Sequence, residues 1–165
     1  EFLSACQWAN VLLLIGDAGR NSETAILYEM LLSNTTIPIV LTRDSFDLVK
    51  PALHTLVKRD HTTVVLSFAQ VQKLFQGVYY PKILSFSMQL MQFVEALHKF
   101  TITYPTCIVT YHNEQLIIAH NGTVITTKLD DPMMIWRGIT ATKAATWLMW
   151  SETKPLEAIA TSFVA

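Results

Sequence analysis

Four short apolar runs dominate the chain. Residues 11–15, 37–41, 62–66 and 107–110 are each about one strand long, and each is rich in Val, Ile, Leu or Thr. The first three are followed by stretches in which apolar residues recur at helical rather than alternating spacing. Apolar strands interleaved with helices predict a parallel sheet covered on both faces, because a strand exposed on one side would alternate polar and apolar residues. Crossovers between such strands are expected to be right-handed.

Local signals divide the chain further. Asn21 or Ser22 caps a predicted helix carrying Ile26, Leu27, Met30 and Leu31. Asp44 or Ser45 starts a short helical turn, and Pro51 suits the first turn of a helix ending near Lys58. Ser67 and Gln70 form a Ser-x-x-Gln capping box for a helix with Val71, Leu74 and Phe75 inward, ended by Gly77. Residues 83–100 read as the longest helix, with Leu84, Met88, Met91, Val94 or Glu95, and Leu97 near one face. Asn121-Gly122 between two β-type runs predicts a hairpin. Two last helices are expected over residues 140–150 and 155–163, and the whole chain reads as one domain.

Composition narrows the function classes. Hydrophobic residues make up 51% and charged residues 15% of the 165, which suits a doubly covered sheet or an additional buried interface. The net charge of −1 and the lack of a basic block argue against a nucleic-acid partner. No apolar run approaches the roughly 20 residues that span a bilayer, so no membrane partner is expected. Cys6 and Cys107 lie far apart and read as two buried free thiols of a reducing, cytoplasmic setting. Accordingly, the glycosylation-like triplets starting at Asn34 and Asn121 are taken as turns.

In open parallel sheets, ligands bind beyond the carboxyl ends of the strands. Four segments fall there: 16–20, 42–47, 67–70 and 137–142. Gly16, Gly19 and Arg20 are candidates for admitting a phosphate to a helix N-terminus, or else form a tight turn. Asp44 is a candidate acid, or a helix cap. Ser67 is explained by its capping box, since Gly-x-Ser-x-Gly is absent. The five histidines show no metal-ligand spacing, so no metal site is predicted. Asp130-Asp131 before Pro132 reads as a solvated turn or a weak Mg2+ candidate. Trp136, Trp147 and Trp150 with Met133, Met134 and Met149 concentrate large apolar groups in the last third, as helix packing or as a docking surface.

Taken in order, these segments resemble the ribokinase-like superfamily, and within it the ADP- or ATP-dependent NAD(P)H-hydrate dehydratases. Residues 9–16 followed by Gly19-Arg20 and Glu23-Thr24 are similar to that family's strand leading into a Gly-Pro-Gly-Leu-Gly turn. Residues 38–46 resemble its Asp-Ala-Asp-x-Leu strand end, and residues 64–69 its Leu-Thr-Pro-His segment. Cys107 to Tyr111 falls where the family has a Leu-Lys-Gly strand end, and Pro155-Leu156-Glu157-Ala158 resembles the start of its closing helix.

The resemblance implies an α/β fold of three layers, α/β/α, with a mostly parallel sheet and a C-terminal antiparallel hairpin. It implies ADP or ATP with Mg2+ as the ligand and Gly16, Gly19, Arg20, Gly138, Thr140 and Thr142 as the nucleotide cradle; the apolar surplus, the short length and the lost acid described below add the expectation of a homo- or hetero-oligomer. It also exposes departures. Trp136-Arg137-Gly138-Ile139-Thr140-Ala141-Thr142 occupies the junction where the family has Gly-Thr-Gly-Asp, and it contains one glycine and no acid. The first aspartate of the strand-end motif becomes Thr42, leaving Asp44; Pro-His becomes Phe68-Ala69; the lysine becomes Thr110. The family domain is also about a hundred residues longer at its N-terminus. Loss of a general base or of an oxyanion donor costs roughly 10²–10⁴ in rate each. The expectation is therefore a non-catalytic member with at most residual nucleotide binding. The alternative is an active hydro-lyase or small-molecule kinase whose base has moved to Asp44 or to Asp130-Asp131.

Overall fold

A computed structural model describes residues 2–17, 19 and 21–164. Helix α1 (Phe2–Cys6) precedes strand β1 (Leu12–Leu14) and helix α2 (Ser22–Asn34). Then come β2 (Ile39–Thr42), α3 (Asp44–Leu48), a 3-10 turn (Lys50–Ala52), α4 (Leu53–Lys58) and β3 (Thr62–Val65). Helices α5 (Phe68–Gly77) and α6 (Leu90–Thr103) lead to β4 (Cys107–His112), β5 (Gln115–His120) and β6 (Thr123–Lys128). Helices α7 (Met133–Trp136), α8 (Ile139–Leu148) and α9 (Pro155–Thr161) follow.

All six strands form one sheet in the order in which they are made, β1 to β6. The first four are parallel, and β5 and β6 are added antiparallel. Alternate side chains feed two cores. Ile39, Leu41, Val64 and Ile108 pack with Leu31, Leu56, Leu74 and Phe100 from α2, α4, α5 and α6. Val40, Val65, Val109 and Ile118 pack with Ala141, Ala144, Leu148 and Ile159 from α8 and α9. A consecutive strand order places the crossover helices on one face, as crossovers of one hand require. The other face is left to the C-terminal helices. The three-layer α/β/α arrangement with a C-terminal hairpin agrees with the sequence reading. Among the described residues no helix is long and apolar enough to cross a membrane, and Cys6 and Cys107 are buried free thiols.

Several local expectations change. Helix α6 begins at Leu90, seven residues later than its spacing suggests. The Ser85 and Ser87 hydroxyls bond each other at 2.8 Å, and Gln72 Nε2 donates to the Leu84 carbonyl at 2.9 Å. These bonds give the backbone of residues 84–87 an alternative to helix. Phe93, Ala96, Leu97 and Phe100 form the buried face, while Met91 is exposed. On α2 the buried residues are Tyr28, Leu31 and Leu32, which turns Ile26 and Met30 outward.

Gly77 is not a left-handed cap. A Cβ there would lie 2.4 Å from Leu53 Cδ1, so the glycine lets α4 and α5 approach closely. The left-handed residue is Tyr79, at φ 54°. A second hairpin, unanticipated from the sequence, joins β4 to β5 through Asn113 and Glu114, both at positive φ.

Arg59 staples the amino ends of the strands. Its guanidinium donates to the carbonyls of Thr35, Ile37 and Asp60 at 2.8, 2.5 and 3.0 Å. Burial lowers its pKa, offset in part by Asp60. The planar fork reaches several carbonyls at once, which the point charge of a lysine does not.

The β5–β6 turn carries a stability prediction. Asn121 and Gly122 sit at φ 47° and 76°, the signs a type I′ turn needs. A Cβ on Gly122 would meet Ile102 Cγ1 at 2.7 Å. Gly122→Ala is expected to destabilise the protein by about 1–3 kcal/mol, through left-handed strain and crowding together. The check is a lower urea midpoint at unchanged slope.

Candidate functional site

The loop after β1 is the centre of one corner of the sheet. Gly16 has φ 135°, and a Cβ on it would lie 3.1 Å from the Asp44 Cβ. A side chain here would be strained at this φ and would press on the start of α3. On the other side, a Cβ on Gly138 (φ 80°) would lie 3.5 Å from Ile15 Cγ2. Residues Ile15 and Gly16, Asp44 and Gly138 therefore lie together beyond the carboxyl ends of β1 and β2, as the strand-end rule anticipates.

Within this corner the candidates differ in what they can offer. Asp44 is half-buried at the first position of α3, with Arg43 rather than Asp44 at the cap position. Gly19 lies at φ 82° beside the Asn21 side chain, and Asn21 caps α2 by accepting from Thr24 N at 2.8 Å. Arg20 lies outside the described residues. Gly138, in a left-handed conformation, precedes α8. Thr142 Oγ1 donates to the Gly138 carbonyl at 2.9 Å, so its hydroxyl is committed to the helix. Thr140 is fully buried, and its Oγ1 has no hydrogen-bond partner among the described residues.

A neighbouring interaction ties this corner to the next strand. Ser67 and Gln70 form the capping box of α5, with Gln70 N bonded to Ser67 Oγ at 3.3 Å. Gln70 Nε2 also donates to the Arg43 carbonyl at 3.0 Å. Arg43 is held at φ 54°, ψ −133°, a region an L side chain rarely adopts. Its guanidinium, mostly covered, lies 4.0 Å from the Asp17 carboxylate, which is largely in solvent.

Among the described residues, cavities open at both ends of the sheet, and four of them bear on the site. Two open at the carboxyl end. One of about 560 Å³ is lined by Asn21, Asp44, Asp47 and Lys73, among others. The other, about 290 Å³, is lined by Ser67, Phe68, Phe86, Tyr111, His112, Asn113, Ile135 and Trp136, with Ala69 and Pro132. Here Phe68 is 4.7 Å from both the Phe86 and the His112 rings, centroid to centroid. His112 Nε2 lies 2.9 Å from the Met88 carbonyl oxygen, which fixes that ring. Sequence reasoning missed this aromatic cleft because it placed Phe86 inside a helix; Phe68 and Tyr111, each just beyond an apolar run, were the available signal.

The other two cavities lie at the amino end, away from every predicted site residue. One, of about 230 Å³, is lined by His61, His120, Asp60 and Glu152 among others. Its neighbour, about 630 Å³, is bordered by Met149 and Trp150. Cys107 reaches the first of these, but burial raises its thiol pKa to about 12, so it is a poor nucleophile. Residues 138–142 line none of the four cavities. The pair Asp130-Asp131 is engaged elsewhere, with Lys128 at 3.4 Å from Asp130 and Arg137 at 3.5 Å from Asp131. Among the described residues no group of three His, Cys, Asp or Glu side chains is placed to hold a metal ion.

No protein-family model matches the chain, and no curated protein is significantly similar to it.

Two predictions follow from this geometry. Arg43→Gly should hold or raise the melting temperature by removing left-handed strain, whereas Arg43→Val should cost about 1–3 kcal/mol. Equal losses for both substitutions would show that Arg43 is not strained. For His120, burial lowers the pKa below its ordinary 6.5, with His61 acting the same way and Glu157 and the Pro105 backbone opposing. A depressed folded pKa means the unfolded chain binds the proton first. Stability is thus full above pH 6.5 and falls as the pH drops through the folded value. Melting curves at successive pH values should show a shallower acid loss for His120→Gln than for the parent.

Proposed function

We propose that the chain is a ribokinase-like domain of the NAD(P)H-hydrate dehydratase type that has given up phosphoryl transfer. In this reading it keeps at most a residual site for ADP or ATP and acts by associating with another subunit, in the cytoplasm.

The observation that carries the proposal is the approach of Asp44 to Gly16 and of Gly138 to the adjoining Ile15 at one corner of the sheet. Left-handed Gly138 directly precedes α8, and in this reading the first turn of that helix is the remnant of a phosphate site of the kind helix N-termini form. Thr140 Oγ1, buried and without a hydrogen-bond partner among the described residues, lies in the same turn. No acidic residue occurs in segment 136–142, so the junction lacks a base of its own. Any Mg2+ is assigned to the nucleotide's phosphates rather than to a protein cage, as is usual for that ion. The association surface in this reading includes exposed Met149 and Trp150 after α8.

One observation favours the active alternative. Asp44 touches Gly16 and lines an open cavity, so it is the carboxylate best placed to replace the missing base. Turnover of hydrated NADH with nucleotide, abolished by Asp44→Asn, would establish that reading.

Calorimetric titration with ADP and ATP should give weak, saturable binding that Gly138→Val reduces by at least tenfold, because a branched side chain is strained at φ 80° and crowds Ile15. Absence of heat with either nucleotide removes the residual site. Light scattering behind size exclusion should show a species larger than 18.6 kDa; a clean monomer removes the self-association.

A further inference from the structure

The geometry points to the cleft between α5, the 84–87 loop and α7 as a binding site for a neutral planar heteroaromatic ring of nucleobase size. This inference does not rest on the phosphate-binding reading above, because the cleft and the α8 N-terminus are lined by different residues.

Three features of the cleft argue for it. The first is its position: Ser67 follows β3 and Tyr111 lies near the end of β4, so the opening is at the carboxyl edge of adjacent parallel strands. The second is its surface. Phe68, Phe86, His112 and Trp136 supply aromatic lining, and none of the lining residues is Asp, Glu, Lys or Arg. Such a lining selects a flat, uncharged group over a phosphate or a carboxylate. The third is its size, about 290 Å³, at the low end for ligand pockets and suited to one ring system rather than to a whole dinucleotide.

The aromatic groups are also divided between a fixed wall and exposed rings. Phe68 is buried against Phe93 and His112, with centroids 4.8 and 4.7 Å away. His112 is held by the Met88 carbonyl. Phe86 and Trp136 remain 65% and 53% exposed, an amount of bare aromatic surface that a stacked ring would cover. Asn113, exposed at the β4–β5 turn, offers amide donors and acceptor to the edge of such a ring. Sequence-tolerant stacking on aromatic side chains is the way proteins hold bases without charge.

The test is an NMR titration of the whole chain with adenosine and with uridine, following the Trp136 indole N–H. That signal is assigned by its disappearance in Trp136→Phe. A saturable shift of this resonance with at least one nucleoside is expected. Trp136→Ala and Phe86→Ala should each weaken binding by about fivefold to a hundredfold, the range for one lost stacking partner, while Trp136→Phe stays within a few-fold of the parent, the affinities of the two Trp136 variants being read from the Asn113 backbone amide instead. Both side chains are exposed, so unchanged melting curves will certify folding. The inference is overturned if neither nucleoside shifts Trp136 saturably, or if the two alanine variants bind as the parent does. Titration with ADP separates the two sites. Adenosine and ADP binding equally would retain the cleft and remove the phosphate cradle. ADP binding without any shift at Trp136 would retain the cradle and overturn the cleft.

Discussion

The structure depends on strands that meet no water on either face. Ile39, Val40 and Leu41 in β2 are all fully buried, as are Val64 and Val65 in β3 and Ile108 and Val109 in β4. A strand of this kind needs a helical layer above and another below, since each face left wet would expose several large apolar side chains at about 25 cal/mol per Å². The period of two sends neighbours in sequence to opposite cores, which is why Val40 belongs with α8 while Ile39 and Leu41 belong with α2 and α4. Everything at the sheet's ends inherits its position from that requirement. The loops cannot enter either layer, so they gather at the edges, and three of them converge on β1 and β2.

At the carboxyl edge, two adjacent environments result with different chemistry. One is made of backbone and small side chains: Gly16, Gly138 and the first turn of α8. The other is made of rings: Phe68, Phe86 and Trp136. Gln70 is the mechanical link from the α5 cap to the end of β2, because its amide serves both the Ser67 backbone and the Arg43 carbonyl. One side chain thereby sets the relative height of two strand ends, and an Arg in an unfavourable backbone conformation is the local cost.

Much of the architecture was legible in the sequence because it rests on periodicity. The four parallel strands, the Ser67–Gln70 cap and the Asn121-Gly122 turn each follow from residue chemistry that no tertiary contact reverses. The start of α6 was not legible, because Ser85, Ser87 and Gln72 compete for the backbone through contacts that spacing does not reveal. The face of α2 was misjudged because Ile26 and Met30 are as apolar as Tyr28 and Leu32, and only packing decides which pair is covered. The strand-end corner was legible at the level of loops. Which atoms touch was not: the approach of Asp44 to Gly16 joins residues far apart in sequence, and the aromatic cleft draws on four separate segments.

The order of the elements has a consequence for how the protein is made. Residues of α7, α8 and α9 are synthesised after all six strands, yet they supply most of the cover for the face bearing Val40, Val65, Val109 and Ile118. A ribosome therefore extrudes an entire sheet with one apolar side still bare. Because translation adds only about 5–20 residues per second, that side waits a second or more for its cover. A chain that stops between β6 and α8 keeps all six strands but lacks the second helical layer that buries Val40 and Val65.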